Sequence, residues 1–230
     1  MPRADHGVAI VTGGASGLGA AIVDRLRQGG WCPVVLDLNS PRDETEHELV
    51  DLAQTEAAER AVRRVAARHG GLRAVVSAAG TDACGKLESI PREAWERVIA
   101  VNLLGTAAVV RAALPYLAPA DARIVTVAST LGLRALGDAT AYCASKFGVI
   151  GFTRSLSAEL AGRVGVTCLI PGGMQTHFFD GREEQYRPPP DAELAPPTEI
   201  AAAVRFALER PAGIELRELV VCPSTEPSWP

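Results

Sequence analysis

The chain has 230 residues, 47% of them hydrophobic and 22% charged, which is ordinary for a soluble globular protein and fits one domain with a proper core. A formal net charge of −4 argues against nucleic acid or an anionic membrane surface as a partner. The five cysteines (Cys32, Cys84, Cys143, Cys168, Cys222) are odd in number, and no C-x-x-C or Cys/His ligand spacing occurs. They read as free thiols in a reducing compartment, with no metal site. An apolar run begins within about seven residues of Met1, leaving no room for a signal peptide, and no uninterrupted apolar segment approaches the length of a membrane span. The expectation is a cytoplasmic protein.

In chain order, Val8 to Val11 is a short β-branched run that reads as a buried strand. It leads into Thr12-Gly13-Gly14-Ala15-Ser16-Gly17-Leu18-Gly19 and then a helical pattern through Ile22, Leu26 and Gln28. Strand, glycine turn and helix make a context that can bind a pyrophosphate. Glycines admit the ligand to the backbone, and the helix start supplies N–H groups and a positive partial charge. A tight turn would ask for glycine as well. Val34-Val35-Leu36 then ends at Asp37, 18 residues beyond Gly19. Two acceptor oxygens at a strand end suit the ribose hydroxyls of an adenosine and repel a 2′-phosphate, and neither Ser16 nor Leu38 offers a positive charge to hold one. Asp is also a common turn residue.

After a short polar connection, His47 to Asp51 reads as a third strand ending in an acid. Glu56 to Arg68 has helical spacing with an Arg-rich outer face, and Leu72 to Ser77 is a fourth strand followed by Ala78-Ala79-Gly80, small enough for the backbone to lie against a ligand. A longer helical stretch from Glu93 to about Ala113 carries Asn102 in its interior, and Pro115 marks its end. Asn is unfavourable inside a helix, so this one is either exposed or recruited for a task.

Ile124 to Ala128 reads as the fifth strand and places Ser129 at its carboxyl end. Ala141 to Ala161 is a helix in which Tyr142 and Lys146, four residues apart, share a face. An ammonium held there favours the phenolate, so Tyr142 can shuttle a proton to or from an alcohol or ketone. The same spacing arises by accident on helix surfaces, but the only lysines here are Lys86 and Lys146.

Val164 to Ile170 is the sixth strand, ending in Pro171-Gly172-Gly173-Met174-Gln175-Thr176. His177 to Pro197, rich in proline, has the length of a functional loop or lid. Thr198 reads as the N-cap of a last helix through Leu208, and Glu218 to Cys222 as a seventh strand. The tail Pro223 to Pro230 is expected to be partly mobile. Strands alternating with helices predict an α/β fold: a doubly wound, open parallel sheet of about seven strands, with ligands at the carboxyl ends where strand order reverses.

These residues resemble the short-chain dehydrogenase/reductase family over nearly the whole chain. The glycine loop T-G-x-x-x-G-x-G stands at Thr12 to Gly19 and the P-G-x-x-x-T turn at Pro171 to Thr176. The catalytic set stands at Asn102, Ser129, Tyr142 and Lys146, with the usual thirteen residues from serine to tyrosine. The resemblance implies a single Rossmann-type domain and a nicotinamide cofactor, read as NAD from Asp37. It further implies that Tyr142 is the acid/base, that Lys146 lowers its pKa and holds the nicotinamide ribose, and that Ser129 bonds the reacting oxygen. Asn102 would support a water relay. Gly13, Ser16, Gly17, Leu18 and Gly19 would hold the pyrophosphate, Asp51 and Leu52 would flank the adenine, and Ala78, Ala79 and Gly80 would lie along the cofactor. Pro171, Gly172, Met174 and Thr176 would meet the carboxamide end.

The activity implied is interconversion of a secondary alcohol and a ketone. An NADPH-dependent ketoreductase of acyl-carrier substrates and a non-catalytic cofactor-binding regulator are the alternatives. The substrate pocket is expected from Thr81 to Cys84, Leu131 to Asp138, Met174 and the loop from His177. A homodimer or homotetramer is implied, with Ala144, Gly148 and Gly151 admitting a partner helix. Three departures stand out: Ser77-Ala78-Ala79-Gly80 replaces the family's N-N-A-G, the connection after Asp37 is short, and Cys222-Pro223 replaces a glycine pair after the last strand.

Overall fold

The computed structural model describes residues 6–117 and 121–229. Seven strands form one parallel sheet in the order β3-β2-β1-β4-β5-β6-β7. They are β1 (Val8–Thr12), β2 (Cys32–Asp37), β3 (His47–Leu49), β4 (Ala74–Ser77), β5 (Arg123–Val127), β6 (Gly165–Pro171) and β7 (Glu218–Val221). The central strands are buried along nearly their whole length, as parallel strands covered on both faces must be. Strand order reverses between β1 and β4, whose registers pair Thr12 with Ser77. This single Rossmann-like domain therefore opens its crevice above Thr12 and Ser77.

One face is covered by α1 (Gly17–Gln28) and α6 (Pro197–Leu208), packed through Ile22, Leu26, Ile200 and Val204. The other is covered by α2 (Thr55–His69), α4 (Thr106–Ala113) and α5 (Thr140–Glu159). Arg123 is buried in β5, and one end of its guanidinium donates to the carbonyls of Arg210, Pro211 and Ile214, closing the turn after α6.

Four expectations are corrected. The predicted helix from Glu93 is three pieces: α3 (Arg92–Ile99), a π-helical turn over Ala100–Gly105, and α4. The whole run Arg92–Tyr116 is by length and composition apolar enough to cross a membrane, although charged residues interrupt it, and more than half of its most apolar window is buried inside the fold. Thr198 is not a cap: Pro197 already opens α6, where a fixed φ and a missing N–H suit the first position. β3 stops at Leu49, two residues before Asp51.

The fourth correction concerns the carboxyl-terminal tail, which is docked. Thr225 donates to Glu193 at 2.6 Å, Glu226 accepts from the Gly173 N–H at 2.8 Å, and Ser228 meets Thr130 at 2.6 Å. Arg134 adds a bond to the Pro227 carbonyl at 2.9 Å. Four acceptors and donors of the molecule's own crevice hold the tail, which its composition alone does not reveal; Pro230 lies outside the described residues.

Candidate active site

A cavity of about 1180 Å³ runs along the carboxyl ends of the strands. At the β1 end only glycine fits the turn. Gly13 has φ +70°, and a Cβ there would lie 2.7 Å from the Ala79 Cα. A Cβ on Gly19 would lie 2.0 Å from the Gly13 carbonyl oxygen. These close approaches let β1, α1 and the loop after β4 share one turn. Ser16, at the N-cap of α1, makes no capping bond, and no acidic residue stands in the first turn. The helix start is thus left open to an anion, with Gly17 and Leu18 also lining the cavity. These features fit the pyrophosphate of a dinucleotide.

Asp37 closes this end. Its carboxylate accepts from Ala15 N–H and Asn39 N–H, both at 3.0 Å, and so stands against the glycine loop facing the cavity. Asp51 and Leu52 lie beyond it. Asp51 also accepts from Arg97 at 3.1 Å and from Ala53 N–H at 3.0 Å. Burial works against the charge of Asp51, but the Arg97 guanidinium and that N–H hold its carboxyl below the usual range. Arg97, from α3, was not singled out in the sequence; it lies 46 residues from its partner.

The loop Ala78–Gly80 lacks the family's asparagine side chains, and other groups brace it. Thr12 Oγ1 accepts from Ala79 N–H at 3.0 Å, and Ser77 meets Thr106 at 2.9 Å. Asn102 accepts from Thr81 N–H at 2.8 Å and donates to the Thr81 carbonyl at 2.9 Å and to Ser145 at 3.0 Å. The π-turn explains how an interior Asn does this: the inserted residue widens the helix and turns the amide inward, where it is 1% exposed. Asn102 does not line the cavity; it braces the loop that does.

At the other end, Ser129, Tyr142 and Lys146 meet. Ser129 caps a short turn by accepting from Leu131 N–H at 3.1 Å. Lys146 Nζ is buried 5.4 Å from the centre of the Tyr142 ring and donates to the Val127 carbonyl at 2.9 Å. Burial draws its pKa down to about 8. Burial also pushes the Tyr142 phenol well above its ordinary value; the Ser129 hydroxyl and Arg182 oppose that shift, while Asp82 and Cys143 add to it. A lysine four residues along the helix by itself predicts a lowered tyrosine. The geometry differs because both groups are desolvated together, and desolvation acts against charge on each.

The glycine-proline turn completes this end, with Pro171, Gly172, Met174 and Thr176 all lining the cavity. Thr176 caps a short turn at Phe178 N–H, and Phe178 tilts over Tyr142 with ring centres 5.7 Å apart. Segment 177–195 returns to this turn by bonds from Gln175 N–H to the Ala195 carbonyl and from Ala195 N–H to the Gly173 carbonyl. Asp82 and Arg182 meet in the cavity wall, and Glu226 and Ser228 from the tail form another part of it. The tail residues carried no sequence signal, since nothing in their spacing says where a chain end folds back. All candidate cofactor and catalytic residues except Asn102 thus line one cavity.

Comparison with known proteins shows the family of the chain. The model of the family "short chain dehydrogenase" matches residues 7–187. A D-threitol dehydrogenase of Mycolicibacterium smegmatis is 33% identical over 240 residues, covering 95% of this chain and 92% of the relative. The solved ligand-free aldohexose dehydrogenase of Thermoplasma acidophilum superposes with a TM-score of 0.85 at 27% identity, covering 94% of this chain and 92% of that one. The actinorhodin polyketide ketoreductase solved with NADPH gives a TM-score of 0.84 at 27% identity, with 96% and 98% covered. The chain is an oxidoreductase and belongs to the short-chain dehydrogenase/reductase family.

Proposed function

We propose that the protein interconverts a secondary alcohol and a ketone by hydride transfer to or from NAD, with Tyr142 as the general acid/base. The observation that carries this reading is the sharing of one cavity. Tyr142, Ser129 and Lys146 stand at one end of it, and the glycine loop and Asp37 at the other. A bound nicotinamide supplies the hydride acceptor or donor. Gly13 to Gly19 would hold its pyrophosphate, Asp37 the adenosine ribose, and Lys146 the second ribose. Tyr142 holds or gives the proton of the reacting oxygen, and Ser129 bonds that oxygen. The relatives named for threitol, for aldohexose and for a polyketide ketone lend weight to carbinol and carbonyl chemistry.

The alternative of NADPH has one observation of this structure for it, besides similar structures solved with NADP or NADPH. Arg42 lines a hollow with Ser16 against the outer side of the glycine loop. Asp37 bears directly on the ribose position and outweighs it, since a 2′-phosphate beside a carboxylate is repelled by about 1–4 kcal/mol. Initial rates with both cofactors check this. NAD is expected to give a kcat/KM at least about tenfold higher, and a preference for NADP would overturn the role given to Asp37.

A homodimer or homotetramer is part of the proposal, built through the exposed face of α5. Ala144 and Gly151 are exposed there, beside the exposed Phe147. Gly148 is removed from that list. Its missing side chain makes room for Leu103 of the same chain, which a Cβ would approach to 2.8 Å.

A further inference from the structure

The wall of the cavity beside Tyr142 contains an ion pair to which the proposed hydride chemistry assigns no task. Asp82, in the loop after β4, and Arg182, in segment 177–195, meet at 2.9 Å with side chains only 8% and 16% exposed. Taking two charges out of water is unfavourable, and apolar residues of the same volume would close the wall as well.

The pair is also incompletely satisfied. Asp82 accepts from Ala83 N–H at 2.7 Å, from the Cys84 thiol at 3.3 Å and from Arg182. A carboxylate has about four acceptor positions, so one is left. Arg182 has its guanidinium 4.9 and 4.7 Å from the ring centres of Phe178 and Phe179, and sends one more N–H to the Tyr186 carbonyl at 3.4 Å. A guanidinium has about five N–H donors, so others remain free. Both residues line the cavity, and both charges are felt by the Tyr142 hydroxyl, with opposite sign. Arg182 stacks on Phe178, whose ring is itself 5.7 Å from that of Tyr142.

We propose that Asp82 and Arg182 form a subsite for a second hydroxyl on the carbon next to the carbinol, so that the substrates are compact vicinal diols and polyols. The proposal rests on the reading that Tyr142 acts on the carbinol. A hydroxyl is neutral and both accepts and donates, so it takes an Arg182 N–H and gives its own proton to Asp82. A carboxylate would meet Asp82, with Asp138 and Glu226 also lining the cavity. An ammonium would meet Arg182. An apolar group would leave the remaining acceptor position of Asp82 and the remaining N–H groups of Arg182 unmet.

The test compares kcat/KM for a four-carbon vicinal diol with that for the four-carbon mono-alcohol of the same skeleton. The parent protein is expected to favour the diol by about 10²-fold or more, because a site built to bond a hydroxyl rejects the analogue that lacks it. Asp82→Asn and Arg182→Met should each lower the ratio of the diol figure to the mono-alcohol figure by about tenfold or more, whatever either charge does to Tyr142. Arg182→Lys, which restores a charge, should recover part of the loss. Equal rates for the two alcohols in the parent would overturn the subsite and leave the alcohol reading standing. Variants that depress both substrates equally would overturn it too, since that is the mark of a purely structural pair. No NADH or NADPH from any alcohol would defeat both readings. The parent ratio needs no variant, so a variant that fails to fold does not weaken the test.

Discussion

Tyr142→Phe is expected to lower kcat by about 10²–10⁴-fold while cofactor affinity changes little. The substitution keeps the ring that packs against Phe178 and removes only the hydroxyl, so the fold and the cavity wall persist. The electrostatics add a direction to this result. Burial holds the phenol well above its ordinary pKa, so at neutral pH Tyr142 carries its proton. A group protonated at pH 7 is ready to act as an acid toward a ketone, and as a base toward an alcohol only as pH rises. Alcohol oxidation by the parent should therefore climb with pH and ketone reduction should decline. Steady-state rates in both directions, with cofactor binding followed by fluorescence, check both parts. Near-parent turnover by the phenylalanine variant would end the assignment of Tyr142.

Lys146→Met is expected to do two things at once. It should weaken cofactor binding by removing the donor proposed for the nicotinamide ribose, and it should move the rising limb of alcohol oxidation to higher pH. The sign comes from charge. With its pKa drawn down to about 8, Lys146 is still an ammonium at neutral pH, 5.4 Å from the Tyr142 ring. Taking that charge away makes negative charge on the phenol oxygen less favourable. Neighbouring charges commonly move a pKa by about 1–3 units, so kcat/KM at pH 7 should fall by about 10–10³-fold. The variant should recover relative to the parent as pH rises. A profile that falls in height without shifting would show that Lys146 binds cofactor but does not tune the tyrosine.

The parallel strands were legible in the sequence because each is a short β-branched run bounded by turns. The strand-end residues followed from them, as with Asp37 and Ser129. Local spacing also reveals Tyr142 and Lys146, since a helix brings residues four apart onto one face. What stayed hidden depends on contacts far apart along the chain or on a break in regularity. Arg182 reaches Asp82 only because segment 177–195 folds back over the cavity. Asn102 is polar in an apolar stretch, which marked it for a task. The π-turn that aims it has no pattern of its own, because one inserted residue is compatible with the same apolar spacing on either side. The order of the Tyr142 and Lys146 titrations could not be read from spacing either: it depends on how much water reaches them.

The docked tail has a practical consequence for anyone handling this protein. Glu226 and Ser228 sit in the wall of the cavity, so a purification tag or fusion partner joined just past Trp229 would begin close to that wall. Such an appendage would compete with substrate for entry or lift the tail from the Gly172–Gly173 turn. His6 lies at the opposite edge of the sheet from this wall. His6 stacks on Trp31 with ring centres 5.3 Å apart, just before β1, at the amino ends of the strands and on the far side of the sheet from the chemistry.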